Sequence, residues 1–220
     1  MTGTSDLSSV RASYDTVAVD YARLLGTELS GRPLDRGMLS AFAECVRGDG
    51  RGDGSGGRPV ADVGCGPGRV TAHLAGLGVP TFGIDLSPAM VAVARRTYPG
   101  LRFDVGAMAA LDVADGVLGG VLAWYSTVHT PPAELPALFA EFARVLAPGG
   151  HFLIAFKAGD RRVRLDHAYG HPVDLDVYWT PPELIAGLLA AAGLTEVGRL
   201  VRQPAEDEAG PQGFLLARKA

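Results

Sequence analysis

The stretch VADVGCGPGR, residues Val60–Arg69, decides the fold of this chain. A short apolar run of this kind is typical of a buried strand. The run breaks into three alternate glycines, which are Gly64, Gly66 and Gly68. Glycine is needed where a backbone adopts positive φ or comes close to a ligand. The stretch therefore predicts a buried strand that ends in a ligand-binding turn.

Strand and helix patterns alternate around this turn. Amphipathic helices lie between most of the apolar runs of strand type, which occupy 58–64, 80–87, 101–106, 116–127 and 151–157. Such alternation predicts right-handed crossovers and a mostly parallel sheet covered by helices on both faces. The last two runs, 196–203 and 213–220, predict an antiparallel pair at one sheet edge. The fold class is thus α/β, a Rossmann-like three-layer α/β/α sandwich with seven strands.

The chain divides into a helical start, a glycine-rich loop and the α/β core. Residues 1–47 are predicted to form an N-terminal helical cap of the same domain, with helices over Ser8–Leu25 and Pro33–Val46. Residues 48–58 are polar and rich in glycine, which predicts a flexible surface loop. Residues 59–220 form the core.

Composition disfavours several classes of function. The net charge of −4 and the pI of about 5.7 argue against nucleic acid as a partner, since a phosphate-binding face needs a basic excess. Two cysteines, Cys45 and Cys65, are too few for a disulfide framework, so we expect a reducing, cytoplasmic location. We also expect neither a signal peptide nor a membrane span, which needs ~20 apolar residues. We expect no metal site, although imidazoles and carboxylates gather at His167, His171, Asp174 and Asp176.

The spacing of the glycine turn selects among nucleotide-like ligands. The dinucleotide fingerprint G-x-G-x-x-G needs a third glycine at position 69, where this chain has Arg69. Asp62, two residues before the first glycine, would repel a pyrophosphate and suits an ammonium group. Asp85 follows Gly64 by 21 residues, the spacing of an acid that accepts ribose hydroxyls. These features indicate an adenosine ligand with a positive amino end, which S-adenosyl-L-methionine provides.

Three segments of the chain resemble the class I S-adenosylmethionine-dependent methyltransferases. Two of them resemble the cofactor-binding core of that family, namely VADVGCGPGRVTAHLAGLGVPTFGIDLSPAMVAVAR (Val60–Arg95) and ARVLAPGGHFLIAF (Ala143–Phe156). The third, YDTVAVDYARLL (Tyr14–Leu25), resembles the cap helix of the small-molecule branch of that family. The resemblance implies the sheet order 3-2-1-4-5-7-6 with an antiparallel strand 7. It also implies methyl transfer from S-adenosyl-L-methionine to an oxygen or nitrogen of a small organic molecule, such as a secondary metabolite, with S-adenosyl-L-homocysteine as product.

By this resemblance, the cofactor contacts the first helix and the ends of the first four strands. Asp62 faces its ammonium group directly or through water, Asp85 takes the ribose hydroxyls and Leu86 packs on the adenine. Family members often carry an acid for the adenine amino group where this chain has Ala107. The cofactor-binding residues implied are Tyr14, Tyr21, Asp62, Gly64, Cys65, Gly66, Asp85, Leu86, Ala107, Met108, Trp124 and Tyr125.

The methyl acceptor is expected beyond the fourth strand, under the insertion 157–181. This insertion is the least regular part of the core, and in this family it lids the acceptor. His129 is the candidate base, since imidazole titrates near neutrality, and Tyr14 is a second catalytic candidate. Alternatively, His129 holds the loop or contacts the cofactor, and Tyr14 packs in the core. The predicted substrate-binding residues are His129, His167, Tyr169, Tyr178 and Trp179.

Two other functions stay open on the sequence. A nicotinamide-dependent Rossmann oxidoreductase is disfavoured by the missing third glycine and by Asp62. A non-catalytic cofactor-binding protein is supported only by the missing acid at Ala107. The oligomeric state is not written in the sequence, which allows a monomer or a homodimer.

Overall fold

A mixed seven-stranded sheet forms the centre of the molecule. The structure, a computed structural model, describes residues 7–48 and 57–220. Within these ranges the strands are β1 (Val60–Val63), β2 (Thr81–Asp85), β3 (Phe103–Val105), β4 (Leu118–Trp124), β5 (Leu146–Lys157), β6 (Arg161–Ala168), β7 (His171–Trp179), β8 (Leu194–Arg202) and β9 (Gln212–Lys219). The helices are α1 (Leu7–Leu25), α2 (Pro33–Gly48), α3 (Arg69–Gly76), α4 (Pro88–Thr97), α5 (Leu135–Val145) and α6 (Pro182–Ala191). Short 3₁₀ turns cover Glu28–Gly31 and Thr127–His129.

The strand order of the sheet is β3-β2-β1-β4-β5-β9-β8. The strands β1 to β5 run parallel, with Ala61 of β1 aligned to Phe82 of β2 and to Val121 of β4. β9 runs antiparallel to both β5 and β8. The predicted Rossmann-like α/β class is confirmed. The order differs from the predicted 3-2-1-4-5-7-6 only in its numbering, because two further strands, β6 and β7, precede the last pair.

The segment 157–181 is regular, so the prediction of an irregular insertion is wrong. β6 and β7 pair antiparallel as a separate two-stranded sheet. Their connection is the turn Tyr169-Gly170, with φ of 54° and 84°, the positive values that a two-residue hairpin turn requires. Inward-facing and outward-facing residues alternate along both strands, and the outer face carries Arg162 and Arg164. Charged and apolar residues thus alternate along β6, which is the period of two expected of a strand with one exposed face.

The hydrophobic core lies on both faces of the sheet. Phe152 of β5 belongs to a buried cluster with Phe139 of α5. The next residue, Leu153, belongs to a second cluster with Phe42 of α2, because successive side chains of a strand point to opposite faces. Both clusters are shielded by helices, which gives the three layers. α2 is therefore part of a helical layer of the core, whereas the sequence prediction placed it in the cap.

α1 packs outside these layers. Its Val17 and Ala18 lie against Met90 and Val93 of α4 in a third cluster. The bounds Leu7–Leu25 agree with the predicted helix to one residue. α1 thus retains the position over the core that the prediction gave to the whole cap.

Three further expectations concerned a loop, a membrane span and a metal site. Residues 49–56, which make up most of the predicted loop, lie outside the described residues. Among the helices of the two described ranges, none is both long and apolar enough to cross a membrane. The same ranges contain no group of three or more His, Cys, Asp or Glu side chains arranged to hold a metal ion.

Candidate active site

A cavity of about 490 Å³ lies at the carboxyl ends of β1, β2 and β4, beneath α1. Its size is that of a small-molecule site, and its position is the usual ligand position in an open α/β sheet. Most of the predicted cofactor-binding residues line it, namely Tyr14, Tyr21, Gly64, Gly66, Asp85, Leu86, Ala107, Met108, Trp124 and Tyr125. The structure thus gathers residues from five separate segments around one space.

The glycine turn after β1 forms the floor of the cavity. Gly64 and Gly66 have φ of 74° and 54°, a backbone conformation that glycine adopts without strain. A Cβ at Gly64 would lie 2.2 Å from the Cβ of Ser126, so only glycine fits there. A Cβ at Gly66 would meet nothing closer than the Tyr21 ring at 3.9 Å. No side chain therefore covers the Gly66 backbone on the cavity side, so a ligand can lie directly against it.

Asp85 fixes the glycine turn to the end of β2. One carboxylate oxygen accepts a hydrogen bond from the Gly66 amide at 2.7 Å, and the other accepts from the Ser87 amide at 2.8 Å. Burial raises the pKa of Asp85, and these two hydrogen bonds oppose the rise. Ser87, in turn, accepts from the Met90 amide at 3.1 Å and caps α4. Asp85 is thus not the helix cap, and its side chain lines the cavity.

Two predicted cofactor residues, Asp62 and Cys65, lie beneath the cavity and do not line it. The Asp62 carboxylate is 1% exposed and accepts a hydrogen bond from the Thr71 hydroxyl at 2.6 Å. Its second oxygen has no hydrogen-bond partner in the described part of the chain, and burial raises the pKa of Asp62 to about 7. The Cys65 side chain packs against Phe103, and burial raises the pKa of its thiol. Asp62 points to the side of β1 that faces α3, and the Cys65 side chain packs beneath the turn. The predicted contact of Cys65 with the ligand is therefore corrected, while the role of Asp62 towards the ammonium group stays a prediction.

Tyr14 and His129 form a hydrogen-bonded pair in the cavity wall. The Tyr14 hydroxyl lies 2.7 Å from Nε2 of His129, and Nδ1 of His129 lies 2.6 Å from the Asp176 carbonyl oxygen. A carbonyl only accepts, so Nδ1 carries the proton and Nε2 accepts from the Tyr14 hydroxyl. Burial lowers the pKa of His129 and raises that of Tyr14 well above its ordinary value. Both side chains are therefore neutral at neutral pH.

The other predicted acceptor residues lie outside the cavity. Tyr169 packs on the far side of Tyr21, with ring centroids 4.8 Å apart. Trp179, the last residue of β7, is buried beside Val128, while Tyr178 on the opposite face of the strand lies against Arg162. His167 is 75% exposed. None of the four side chains lines the cavity, which corrects these predictions: Tyr178 and Trp179 point to opposite faces of the hairpin, and Tyr169 lies in its turn.

The sequence prediction missed how α1 is held over the cavity. Asp15 accepts hydrogen bonds from the Ser87 hydroxyl at 2.6 Å and from the Ala89 amide at 3.1 Å. At the hairpin, the Asp174 amide donates to the Ser13 hydroxyl, and His171 lies 2.9 Å from a carboxylate oxygen of Asp20. Asp15 directly follows Tyr14 in sequence, but nothing in the pattern shows its partner.

Apolar cavity walls were also missed. Leu7 and Val10 of α1 face Ala137 and Leu138 of α5 across the same space. Leu7, Val10, Tyr14 and Tyr21 share one side of α1, since residues three, four or seven apart lie on one helix face. Extending that stripe towards the N-terminus would have found the first two.

Fold and cavity together define a Rossmann-like α/β protein with a small-molecule cavity at the carboxyl ends of its parallel strands. A family model described as Methyltransferase domain matches residues 60–150. A methyltransferase of Synechocystis sp. without an assigned substrate is 31% identical over 173 residues, covering 74% of this chain and 69% of that protein. The chain belongs to the class I S-adenosylmethionine-dependent methyltransferases.

Other relatives carry more specific names. Demethylmenaquinone methyltransferase of Chlorobaculum parvum is 32% identical over 148 residues, covering 67% of this chain and 59% of that protein. The chain thus spans about three-fifths of that relative's length. Among solved structures, magnesium protoporphyrin IX methyltransferase of Synechocystis with bound S-adenosylmethionine has a TM-score of 0.73 at 18% identity, covering 100% of both chains. That likeness concerns the fold.

Proposed function

We propose that this protein transfers a methyl group from S-adenosyl-L-methionine to an oxygen or nitrogen of a small molecule. The carrying observation is that one cavity joins the Asp85-anchored glycine turn to the Tyr14–His129 pair. The glycine turn suits an adenosyl ligand, and the Tyr14–His129 pair suits proton transfer. Family membership supports the same reaction.

The residues present fit the cofactor. Both oxygens of Asp85 accept backbone amides, yet a carboxylate has further lone pairs for two ribose hydroxyls. Leu86 and Met108 offer apolar contact to an adenine, and the backbone of Ala107 replaces the missing acid. The methionine part would lie along Gly64 and Gly66. When bound, the sulfonium supplies an electrophilic methyl group, and the chain must align the acceptor with it and exclude water.

Tyr14 and His129 would remove the acceptor's proton as a pair. The Tyr14 hydroxyl donates to His129, so its own lone pair is free to accept a proton from the acceptor. As that proton reaches the Tyr14 oxygen, the phenolic proton passes to Nε2 of His129. The Asp176 carbonyl holds Nδ1–H and stabilises the imidazolium that forms. The relay keeps the phenol neutral throughout, which its raised pKa favours.

Calorimetry followed by product analysis tests this proposal. Wild-type protein should bind S-adenosylmethionine and S-adenosylhomocysteine but not NAD. Methyl-labelled cofactor is then incubated with a panel that includes quinones and carboxylic acids, the acceptor types named for the relatives. Binding of NAD without S-adenosylmethionine would establish the oxidoreductase instead. Cofactor binding with no labelled product from any acceptor would favour a non-catalytic binding protein.

The cellular location, the partners and the oligomeric state of the protein stay predictions. Both cysteines, Cys45 and Cys65, are free thiols, which supports the expected reducing, cytoplasmic location. The acidic net charge supports the expectation of a small molecule rather than nucleic acid as partner. Analytical ultracentrifugation would decide between the monomer and the homodimer.

A further inference from the structure

The cavity extends beyond the Tyr14 hydroxyl, away from the glycine turn. The Tyr21 end of α1 lies over that turn, since the Tyr21 ring is 3.9 Å from the position of a Cβ on Gly66. Val10 and Leu7 line the same cavity one and two turns of the helix before Tyr14. At 1.5 Å per helical residue, Leu7 is about 10 Å from Tyr14 along the helix axis. The outer part of the cavity, beyond Tyr14, therefore has room for a ligand of one or two fused rings.

The walls of this outer part are apolar. Leu7 and Val10 form one wall, and the other consists of Ala133, Ala137 and Leu138, from α5 and the segment before it. Within residues 7–48 and 57–220, neither Leu7 nor Val10 belongs to a buried apolar cluster, and Leu7 is 49% exposed. Apolar side chains in a cavity wall favour a ligand that removes them from water. The outer part of the cavity therefore suits an apolar molecule.

The charges of the cavity lining are unsuited to an anion. Among the residues that the structure describes, no lysine or arginine lines the cavity. Its charged lining residues are two acids, Asp85 at the end of β2 and Glu134 at the start of α5. A bound carboxylate would meet negative charge and no counter-ion in a largely apolar space, which is costly. The lining therefore discriminates against an acidic acceptor.

Two cations act on side chains of the lining, but neither lines the cavity itself. Arg69 is paired with Glu28 at 2.7 Å, and its side chain is 10% exposed. The Lys157 ammonium lies 5.1 Å from the ring centroid of Trp179, over the indole face. Neither cation is therefore placed to bind an acidic group of a ligand in the outer part of the cavity.

The Tyr14–His129 pair selects the reacting group of the acceptor. The Tyr14 hydroxyl and Nε2 of His129 are 2.7 Å apart, so the phenolic proton of Tyr14 can pass to His129 when Tyr14 accepts another. A neutral amine attacks a methyl group with its own lone pair and needs no base beforehand, whereas a hydroxyl group loses its proton as it attacks. A phenol has a pKa of about 10, as in tyrosine, so an imidazole deprotonates it far more easily than an aliphatic alcohol.

We propose that the methyl acceptor is an uncharged, apolar phenol whose ring lies between α1 and α5. This inference rests on the proposed function and narrows it to O-methylation. The phenolic oxygen lies at Tyr14, and the ring covers Leu7, Val10 and Ala137. The oxygen forms a bond to the methyl carbon while the carbon–sulfur bond breaks and leaves its electron pair on sulfur. The phenolic proton goes to Tyr14, whose own proton passes to His129.

Calorimetry with ligands that differ in charge tests this substrate class. The protein is first saturated with S-adenosylhomocysteine, whose sulfur is uncharged, and then titrated with 2-naphthol, 6-hydroxy-2-naphthamide and 6-hydroxy-2-naphthoate. We expect 2-naphthol to bind and the amide to bind at least tenfold more tightly than the acid. The amide and the acid are equal in size, and only the acid brings a charge into the cavity. Equal affinities for the two, or a tighter acid, would overturn the proposal.

A cation added to the cavity wall should reverse this preference. Ala137 lines the cavity from an exposed position on α5, so a lysine fits there without disturbing the core. Ala137→Lys should strengthen binding of the acid about tenfold relative to the amide, whereas the uncharged Ala137→Met should keep the wild-type preference. Ala190→Lys is the matched control for net charge, because Ala190 is exposed on α6 and does not line the cavity. A preference that Ala137→Lys leaves unchanged would contradict a ring lying between α1 and α5.

A direct measurement of the ring position separates the two proposals. In the S-adenosylhomocysteine complex, bound 2-naphthol should show nuclear Overhauser contacts to the Val10 methyl groups, whose signals are assigned by their loss in Val10→Ala. If 2-naphthol does not bind, or binds without these contacts, the substrate class is overturned while cofactor binding stands. Failure of the wild type to bind S-adenosylhomocysteine would overturn the proposed function, and this inference with it.

Discussion

The Tyr14 hydroxyl and Nε2 of His129 are 2.7 Å apart, although the two residues are separated by 115 positions in the chain. The contact joins α1 to the turn after β4 across the cavity. It also fixes the direction of the hydrogen bond, since the Asp176 carbonyl holds the other imidazole nitrogen. The pair therefore has one proton arrangement at neutral pH and one direction in which a proton can move.

Removing either member of this pair should slow catalysis without weakening cofactor binding. Tyr14→Phe and His129→Asn should each lower kcat about 100-fold, the usual contribution of a proton-transfer group. The double variant should be no slower than the slower single variant, because the two residues act as one relay. Steady-state kinetics with the identified acceptor measures this, and calorimetry with S-adenosylhomocysteine is the control. Additive losses, or a change confined to KM, would show that the pair only positions the acceptor.

The pH profile should carry the signature of a buried imidazole. Protonated His129 cannot accept the phenolic proton, so kcat/KM should fall as the pH drops through the pKa of His129. Burial lowers that pKa from 6.5, which places the acid limb of the profile below pH 6.5. In Tyr14→Phe this limb should lose most of its amplitude. An acid limb above pH 6.5 would rule out His129 as the titrating group.

Asp85→Ala should weaken cofactor binding. The carboxylate anchors Gly66 and is proposed to accept the ribose hydroxyls, so its loss should cost about 2–3 kcal/mol of binding free energy. Calorimetry with S-adenosylhomocysteine measures the change. Asp166→Ala is the matched control, because that carboxylate is 95% exposed on the hairpin. Wild-type affinity in Asp85→Ala would refute the ribose assignment.

Local patterns sufficed for the fold and for one half of the site. The strand-turn-helix unit around Gly64, the cap of α4 by Ser87 and the acid at Asp85 all depend on residues close in sequence, where spacing determines geometry. The hairpin was also within reach, since its strands alternate with a period of two and Tyr169-Gly170 has the chemistry of a tight turn.

The rest depends on contacts between distant segments. No spacing in the sequence brings Tyr14 to His129, or Asp15 to Ser87, because both depend on where α1 lies over the core. Cys65 shows the converse difficulty. It stands inside the glycine turn, yet its side chain packs beneath the turn against Gly83, where an added Cβ on Gly83 would lie 2.6 Å from the Cys65 sulfur.

Asp15 should control how firmly α1 closes the cavity. Asp15→Ala removes the acceptor for the Ser87 hydroxyl and the Ala89 amide and leaves that amide without its partner, at a cost of about 1–3 kcal/mol. Asp15→Asn keeps the accepting oxygen and should retain most of the stability. Hydrogen exchange of peptides from α1 and thermal unfolding measure the two effects. Protection of α1 that is equal in wild type and Asp15→Ala would mean that the hairpin contacts alone hold the helix.

Asp62 should link cofactor binding to pH. Burial raises the pKa of Asp62 from 3.8 to about 7. Between these two pH values the Asp62 carboxyl is therefore protonated in the native state and ionised in the unfolded chain. The unfolding free energy of the free protein should therefore fall as the pH rises through this window, relative to Asp62→Asn, which cannot ionise. The affinity for S-adenosylhomocysteine should change in the opposite direction with pH. Its ammonium group favours ionised Asp62, so the affinity of the wild type should rise between pH 6 and about 8.

Paired titrations test this linkage. Calorimetry and urea unfolding are measured for wild type and Asp62→Asn at each pH, so that the titration of other groups cancels in the difference. The variant should bind S-adenosylhomocysteine more weakly above pH 7 and nearly as well as the wild type near pH 6. The unpaired oxygen of Asp62 would then mark where the cofactor's ammonium group acts, directly or through a water molecule. Parallel affinity curves for the two proteins would mean that this carboxylate serves only the Thr71 hydrogen bond beneath the glycine turn.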